Sequence, residues 1–188
     1  KMMDNKAYKF LVLGDMHIPV RAKSIPPPII SFLKNKQFNL VLCTGDLVER
    51  RLINVLERFG QVKTVKGNCD YSEFPEYLVV NVENLKIGVI HGHQVYPRGN
   101  LVGLTNILKK INANILIHGH THKISVNKVN EGILINPGSL TGVPSGGEAY
   151  SEPTFIILIV QRRNIQVNLF RIEDKSVTNY DTYKFDTS

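Results

Sequence analysis

Two short apolar runs, YKFLVLGD (8–15) and FNLVLCTGD (38–46), are rich in Leu and Val and each ends in Gly-Asp. Runs of that length and composition predict buried strands, each delivering a carboxylate at its carboxyl end. Between them SIPPPIISFLKN predicts a helix capped by Ser24, because prolines are tolerated in a first turn. RLINVLERFG predicts a second helix closed by Gly60, and QVKTVKG a third strand. YLVVNVENLKIGVIHG reads as two strands joined by a tight turn at Glu83 and Asn84, so the sheets are not purely parallel. LVGLTNILKKI has helical spacing and NILIHG is strand-like, while KISVNKVNEGILINPG is a hairpin turning at Asn130, Glu131 and Gly132. PTFIILIVQ and IQVNLFRIE form a last strand pair, and the polar segment after Asp174 reads as a loosely held tail. In PTFIILIVQ, Phe155, Ile157 and Ile159 share one face and Ile156, Leu158 and Val160 the other. One apolar face must pack into the core, and the second needs a cover, either the helix carrying Phe32 and Leu33 or a separate protein.

At 188 residues and 43% hydrophobic, the chain suits one domain, 1–188, with a sizeable core. No apolar run approaches the roughly 18 residues of a membrane span, and KMMDNKAYKF lacks the apolar centre of a secretory signal. A soluble cytoplasmic protein is expected, and two cysteines do not make a disulfide framework. The formal charge of +7 is spread without a basic block, which argues for a solvated surface and against nucleic acid.

Candidate chemistry sits where the strands end: Asp15 and His17 in GDMHIP, Asp46 in TGDL, Asn68 in KGNCD, His91 in IHGHQ, and His120 and His122 in GHTH. All are oxygen or imidazole donors, a mixture that suits two divalent ions such as manganese or zinc better than calcium. A carboxylate such as Asp46 can bridge two ions with its two oxygens. His93 and His118 stand beside stronger candidates and are read as supporting groups, and Asp70 as support or an Asx turn.

The order DxH, GD, GNxD, HGH, GHTH resembles the calcineurin-like metallophosphoesterase family, which implies an α/β fold: a two-sheet β sandwich flanked by helices. The segments HIPVR, HGHQVYP and INPGSLTG further resemble the branch that supplies the small subunit of retromer. The family pattern implies one ion on Asp15, His17, Asp46 and His122, and another on Asp46, Asn68, His91 and His120. Animal members of that branch carry Asn in place of Asp46 and Asp in place of Asn68, so this chain is closer to the enzyme pattern. Many active members also place a histidine, as proton donor, where this chain has Cys69, although some bacterial and archaeal phosphodiesterases carry cysteine there, so the departure weakens catalysis without excluding it. No catalytic side chain is assigned.

The resemblance implies a scaffold in endosome-to-Golgi transport, held on endosomal membranes through the complex without inserting into them. The metal-site face would dock on the large α-solenoid subunit through Ile18, Pro19, Val95, Tyr96 and Pro97. A second apolar patch, with Ile157 partly exposed and Phe32 or Leu33 at its border, would recruit regulatory proteins. The alternative is a dinuclear-metal phosphoesterase acting on phosphodiesters, for which Arg21, Arg98 and Lys123 offer no evident phosphate clamp.

Overall fold

The computed structural model describes residues 5–71, 73–146 and 151–188. In chain order these form β1 (Tyr8–Leu13), α1 (Pro27–Leu33), β2 (Leu40–Cys43), α2 (Leu52–Leu56), β3 (Val62–Thr64), β4 (Tyr77–Val82) and β5 (Leu85–Ile90). There follow α3 (Leu101–Lys110), β6 (Ile115–Ile117), β7 (Ser125–Val129), β8 (Gly132–Asn136), β9 (Thr154–Gln161), β10 (Asn164–Glu173) and β11 (Ser176–Asp186). One sheet runs β11-β10-β9-β1-β2-β3, with β1, β2 and β3 parallel and β9, β10 and β11 joined antiparallel. The other runs β4-β5-β6-β8-β7, with β5, β6 and β8 parallel and antiparallel strands at both edges.

Strand alternation sorts the apolar side chains into layers. Phe10, Val12 and Leu42 of the first sheet meet Val89, Ile117 and Ile135 of the second in a shared core. The opposite face of the first sheet, with Leu11, Leu13 and Phe155, packs with Ile29 and Leu33 of α1 and Leu56 of α2. Leu116 and Leu134 of the second sheet pack with Leu104 and Leu108 of α3. The architecture is the expected two-sheet sandwich flanked by helices.

Four expectations are corrected. Ser24 does not cap α1: Pro26 is the N-cap residue, without a side-chain cap, because a residue before proline is driven to extended backbone and Pro26 sits at ψ 130° ahead of Pro27. The second helix is confined to five residues, Leu52–Leu56. The segment after Asp174 is not a loose tail but edge strand β11, paired along the whole of β10. Both faces of β9 are covered from within the chain: Ile156, Leu158 and Val160 lie in the shared core, and Phe155 and Ile157 in the α1/α2 layer. Ile157 is 9% exposed and Leu33 1%, so among the described residues neither is partly exposed as expected, and only Ile159 on that face is half-buried. Phe32, half-buried, closes over that face with its ring 5.9 Å from Phe155 and 5.3 Å from Phe170.

Candidate metal centre

The carboxyl ends of β1, β2, β3, β5 and β6 face one end of the molecule, and each is followed within a few residues by a predicted donor. Ligand sites at such ends are the rule in open α/β sheets. The loops are held together by backbone bonds from one strand end to the next: Asp15 N–H donates to the Gly45 carbonyl at 2.9 Å, His17 N–H to the Asp46 carbonyl at 3.0 Å, and Gly119 N–H to the His91 carbonyl at 2.7 Å. The His120 N–H donates to Asp15 Oδ2 at 2.9 Å, which ties the second sheet's site loop to the first sheet's.

Sharp turns aim the side chains. Asp15, His17, Asp46, His120 and His122 all carry positive φ, between 51° and 74°. Non-glycine residues in that region are strained, and such strain gathers where a fold must converge side chains on one point. Gly67 is required by crowding, since a Cβ there would lie 2.0 Å from Asp46 Oδ1. Asp70 does more than close a turn: its Oδ2 accepts from Asp46 N–H at 2.9 Å and Gly67 N–H at 2.8 Å, and its Oδ1 from Val48 N–H at 2.9 Å. It fixes the Asp46 loop against the Asn68 loop.

The structure brings all seven predicted donors together. One group comprises Asp15, His17 and His122, another Asp46, His91 and His120, with the candidate ligand atoms of each within 4.8 Å of one another. Asp46 Oδ2 stands between them, 3.4 Å from His17 Nε2 and 3.2 Å from His91 Nε2. His91 Nε2 also lies 2.9 Å from Asn68 Oδ1 and 3.2 Å from His120 Nδ1. Two donors on one tetrahedral ion, with bonds of about 2.0–2.2 Å, stand about 3.3–3.6 Å apart, so this spacing suits coordination. Tautomers agree. His91 Nδ1 meets the Thr44 carbonyl at 2.7 Å and His122 Nδ1 the Val143 carbonyl at 2.7 Å. A carbonyl only accepts, so each Nδ1 carries hydrogen and each Nε2 is presented to the centre. Among the described residues, Asp15 Oδ1 and His17 Nε2 are buried with no hydrogen-bond partner. Orphaned buried acceptors are costly, and a cation among them satisfies them.

Electrostatics reflect the same crowding. Burial pushes Asp15 up to about 6, against the pull of His91 and His122, and pushes His17 and His120 down to about 4. For Asp46, burial is outweighed by the hydrogen bond and charge of His91, the Cys69 N–H and His17, leaving it at about 2. For His91, burial is outweighed by the hydrogen bond to Asp46 and the charges of Asp15 and Asp46, and it rises to about 9. Without a cation, a proton on His91 does a cation's work.

His118 is buried away from these donors, its Nδ1 3.5 Å from Asn136 Nδ2, and His93 Nε2 lies 3.8 Å from Glu76. Two positioning residues had no expected role. Ser139 Oγ donates to the Asp15 carbonyl at 2.7 Å and Thr141 Oγ1 to the Met16 carbonyl at 2.8 Å, bracing the DxH loop. Their sequence signal is the segment INPGSLTG. Of the expected docking residues, Pro19, Tyr96 and Pro97 are exposed, but Ile18 (1% exposed) and Val95 (9%) are buried. Ile18 belongs to the α1/α2 layer, and Val95 packs on α3 beside Gly103.

The domain model of the calcineurin-like phosphoesterase superfamily matches residues 8–163. A probable metallophosphoesterase of Methanocaldococcus jannaschii is 35% identical over 130 residues, 69% of this chain and 67% of that protein. Vps29 from Cryptosporidium parvum superposes with a TM-score of 0.89 at 29% identity, covering 96% of this chain and 99% of that one. Wild-type Vps29 from Entamoeba histolytica, complexed with zinc, superposes with a TM-score of 0.85 at 33% identity, covering 95% and 98%. The chain belongs to the calcineurin-like phosphoesterase superfamily and, within it, is similar to the Vps29 proteins.

Proposed function

We propose that this protein is the small scaffold subunit of retromer, docking by its metal-centre face on the large α-solenoid subunit, and that Asp15, His17, Asp46, Asn68, His91, His120 and His122 hold two divalent ions. The observation that carries the docking is where apolar surface is left uncovered. Among the described residues seven large hydrophobics are exposed, and six of them, Val20, Tyr71, Tyr77, Tyr96, Leu101 and Val102, belong to the donor end. Val20 follows His17 by three residues and Tyr71 follows Asn68 by three; Tyr96 leads from the His91 loop to the start of α3; Tyr77 pairs with Ile90, next to His91. Exposed tyrosines around an apolar rim are typical of interface centres, whereas a phosphate subsite calls for charge. Such a subunit would be held at endosomal membranes through its complex.

Tyr96 is 91% exposed and can be changed without touching the fold. Tyr96→Asp places an unpaired charge in an apolar contact, so pull-down of the large subunit is expected to be lost while the thermal midpoint stays within about 1 °C, as for a surface change. Full binding by that variant would move the interface elsewhere.

The complete donor set favours a second reading, a phosphodiesterase. The chemistry such a centre supplies when loaded is Lewis-acid neutralisation of phosphoryl charge. Against it, Cys69 stands where a proton-donating histidine is usual in the family, and general acid catalysis is worth about 10²–10⁴-fold. Slow turnover of activated diesters at most is expected. Robust turnover of a physiological phosphoester, abolished in His120→Ala, would put this reading first.

A further inference from the structure

Cys69 lies in the Asn68 loop with its side chain exposed, and its thiol, the His17 imidazole and an Asp46 carboxylate oxygen lie within 4.8 Å of one another. Its backbone is fixed there, since the Cys69 N–H donates to Asp46 Oδ1 at 2.8 Å. Independently, the side chain of His17 is 6% exposed and, among the described residues, its Nε2 has no hydrogen-bond partner, while facing the same space. The neighbouring Asn68 Nδ2 donates to the Cys69 sulfur at 3.7 Å. The other cysteine, Cys43, is fully buried in the α1/α2 layer and takes no part.

We propose that Cys69 is a soft donor of the metal centre, joining His17 and Asp46 on one ion and making zinc its preferred metal over manganese. The inference rests on the metal-binding part of the proposed function, not on the docking. Oxygen and imidazole donors alone accommodate manganese readily, whereas a thiolate selects zinc and similar ions. On coordination the thiol proton leaves to solvent and the sulfur–metal bond replaces it. A side chain at the position of the family's proton donor thereby changes from a catalytic group to a selector of the ion.

Cobalt(II) is the probe, because it substitutes for zinc and reports sulfur ligation directly. Titrated into the purified chain, cobalt is expected to give visible d–d bands together with a near-ultraviolet sulfur-to-cobalt charge-transfer band. Cys69→Ser should keep the d–d bands and lose the charge-transfer band. Competition against a chromophoric chelator should show the preference for zinc over manganese falling about 10-fold or more in Cys69→Ser, at least the loss that removing an outer partner of a ligand brings. Cobalt bound without the charge-transfer band in wild type, or an unchanged zinc-to-manganese ratio in the variant, overturns the proposal while leaving the centre intact. No binding of any of the three ions would remove the centre itself, and the proposal with it. Matching circular dichroism of the two proteins excludes misfolding as the cause.

Discussion

Single residues carry the centre, and most of them could be read in the sequence because each follows an apolar run by a few positions. What could not be read is the backbone that aims them: nothing about aspartate or histidine announces positive φ at five donors, each costing about 1 kcal/mol. Nor does the sequence distinguish a turn-closing Asp70 from one that accepts from Asp46, Gly67 and Val48 and so sets the distance between two loops. Asp46 is the residue on which both donor groups depend, with Oδ2 facing His17 on one side and His91 on the other. Asp46→Asn removes the charge but keeps the shape, and is expected to weaken zinc binding about 10–100-fold or more by titration calorimetry. An unchanged affinity would deny Asp46 its bridging place. The proton held by His91 gives the pH dependence. Its pKa is raised to about 9 in the metal-free protein, so near pH 7.5 an entering ion must displace that proton. Apparent affinity should therefore rise with pH until about 9, and calorimetry in buffers of different ionisation heat should register the released proton. Binding that is flat with pH would show that His91 is not displaced.

At the scale of elements, strands with a plain two-residue period were legible, and the failures have physical causes. The β10–β11 connection has no glycine; Asp174 and Lys175 both take positive φ, a turn that sequence signals usually mark with Asn-Gly or Asp-Gly. Within β11 the register skips Tyr180, between Asn179 opposite Phe170 and Asp181 opposite Leu169. That bulge breaks the alternation, so Val177 on one layer and Tyr180 and Phe185 on the other do not read as one strand face. For β9 the alternation was legible and the cover was not, because two apolar faces say only that something packs on each. That cover is α1 with Phe32 and Leu33, which makes Ile157 a core residue. Ile157→Asp is expected to bury an unpaired carboxylate and cost about 3–5 kcal/mol, lowering the thermal midpoint by about 10 °C, whereas Ile157→Val should cost about 0.5–1.5 kcal/mol. A stable, fully folded Asp variant would mean that α1 lifts away in solution and that this face is free after all.

At the scale of the whole molecule the centre lies on the seam between the two sheets. Asp15, His17, Asp46 and Asn68 follow strands of the first sheet, and His91, His120 and His122 strands of the second. An ion held by donors from both is therefore a tie between layers that otherwise meet through apolar packing and a few loop hydrogen bonds such as His120 N–H to Asp15 Oδ2, and unfolding must release it. Binding to the folded state alone stabilises by RT ln(1 + [L]/Kd), about 2.7 kcal/mol at a hundredfold excess over Kd. For a chain of this size that corresponds to about 5–10 °C in the thermal midpoint. Treatment with a chelator is expected to lower the midpoint by that amount and zinc to restore it, with Asp46→Asn showing a smaller response. The exposed rim of Tyr71, Tyr77 and Tyr96 is built on loops and the start of β4, which the backbone bonds, the β4–β5 pairing and Asp70 hold without an ion. Docking on the large subunit should consequently survive the chelator even as stability falls. A scaffold would then keep its metal donors because they join the sheets. If the midpoint does not move on metal removal and return, the tie is not structural, and the complete donor set has to be explained by chemistry on a phosphoester instead.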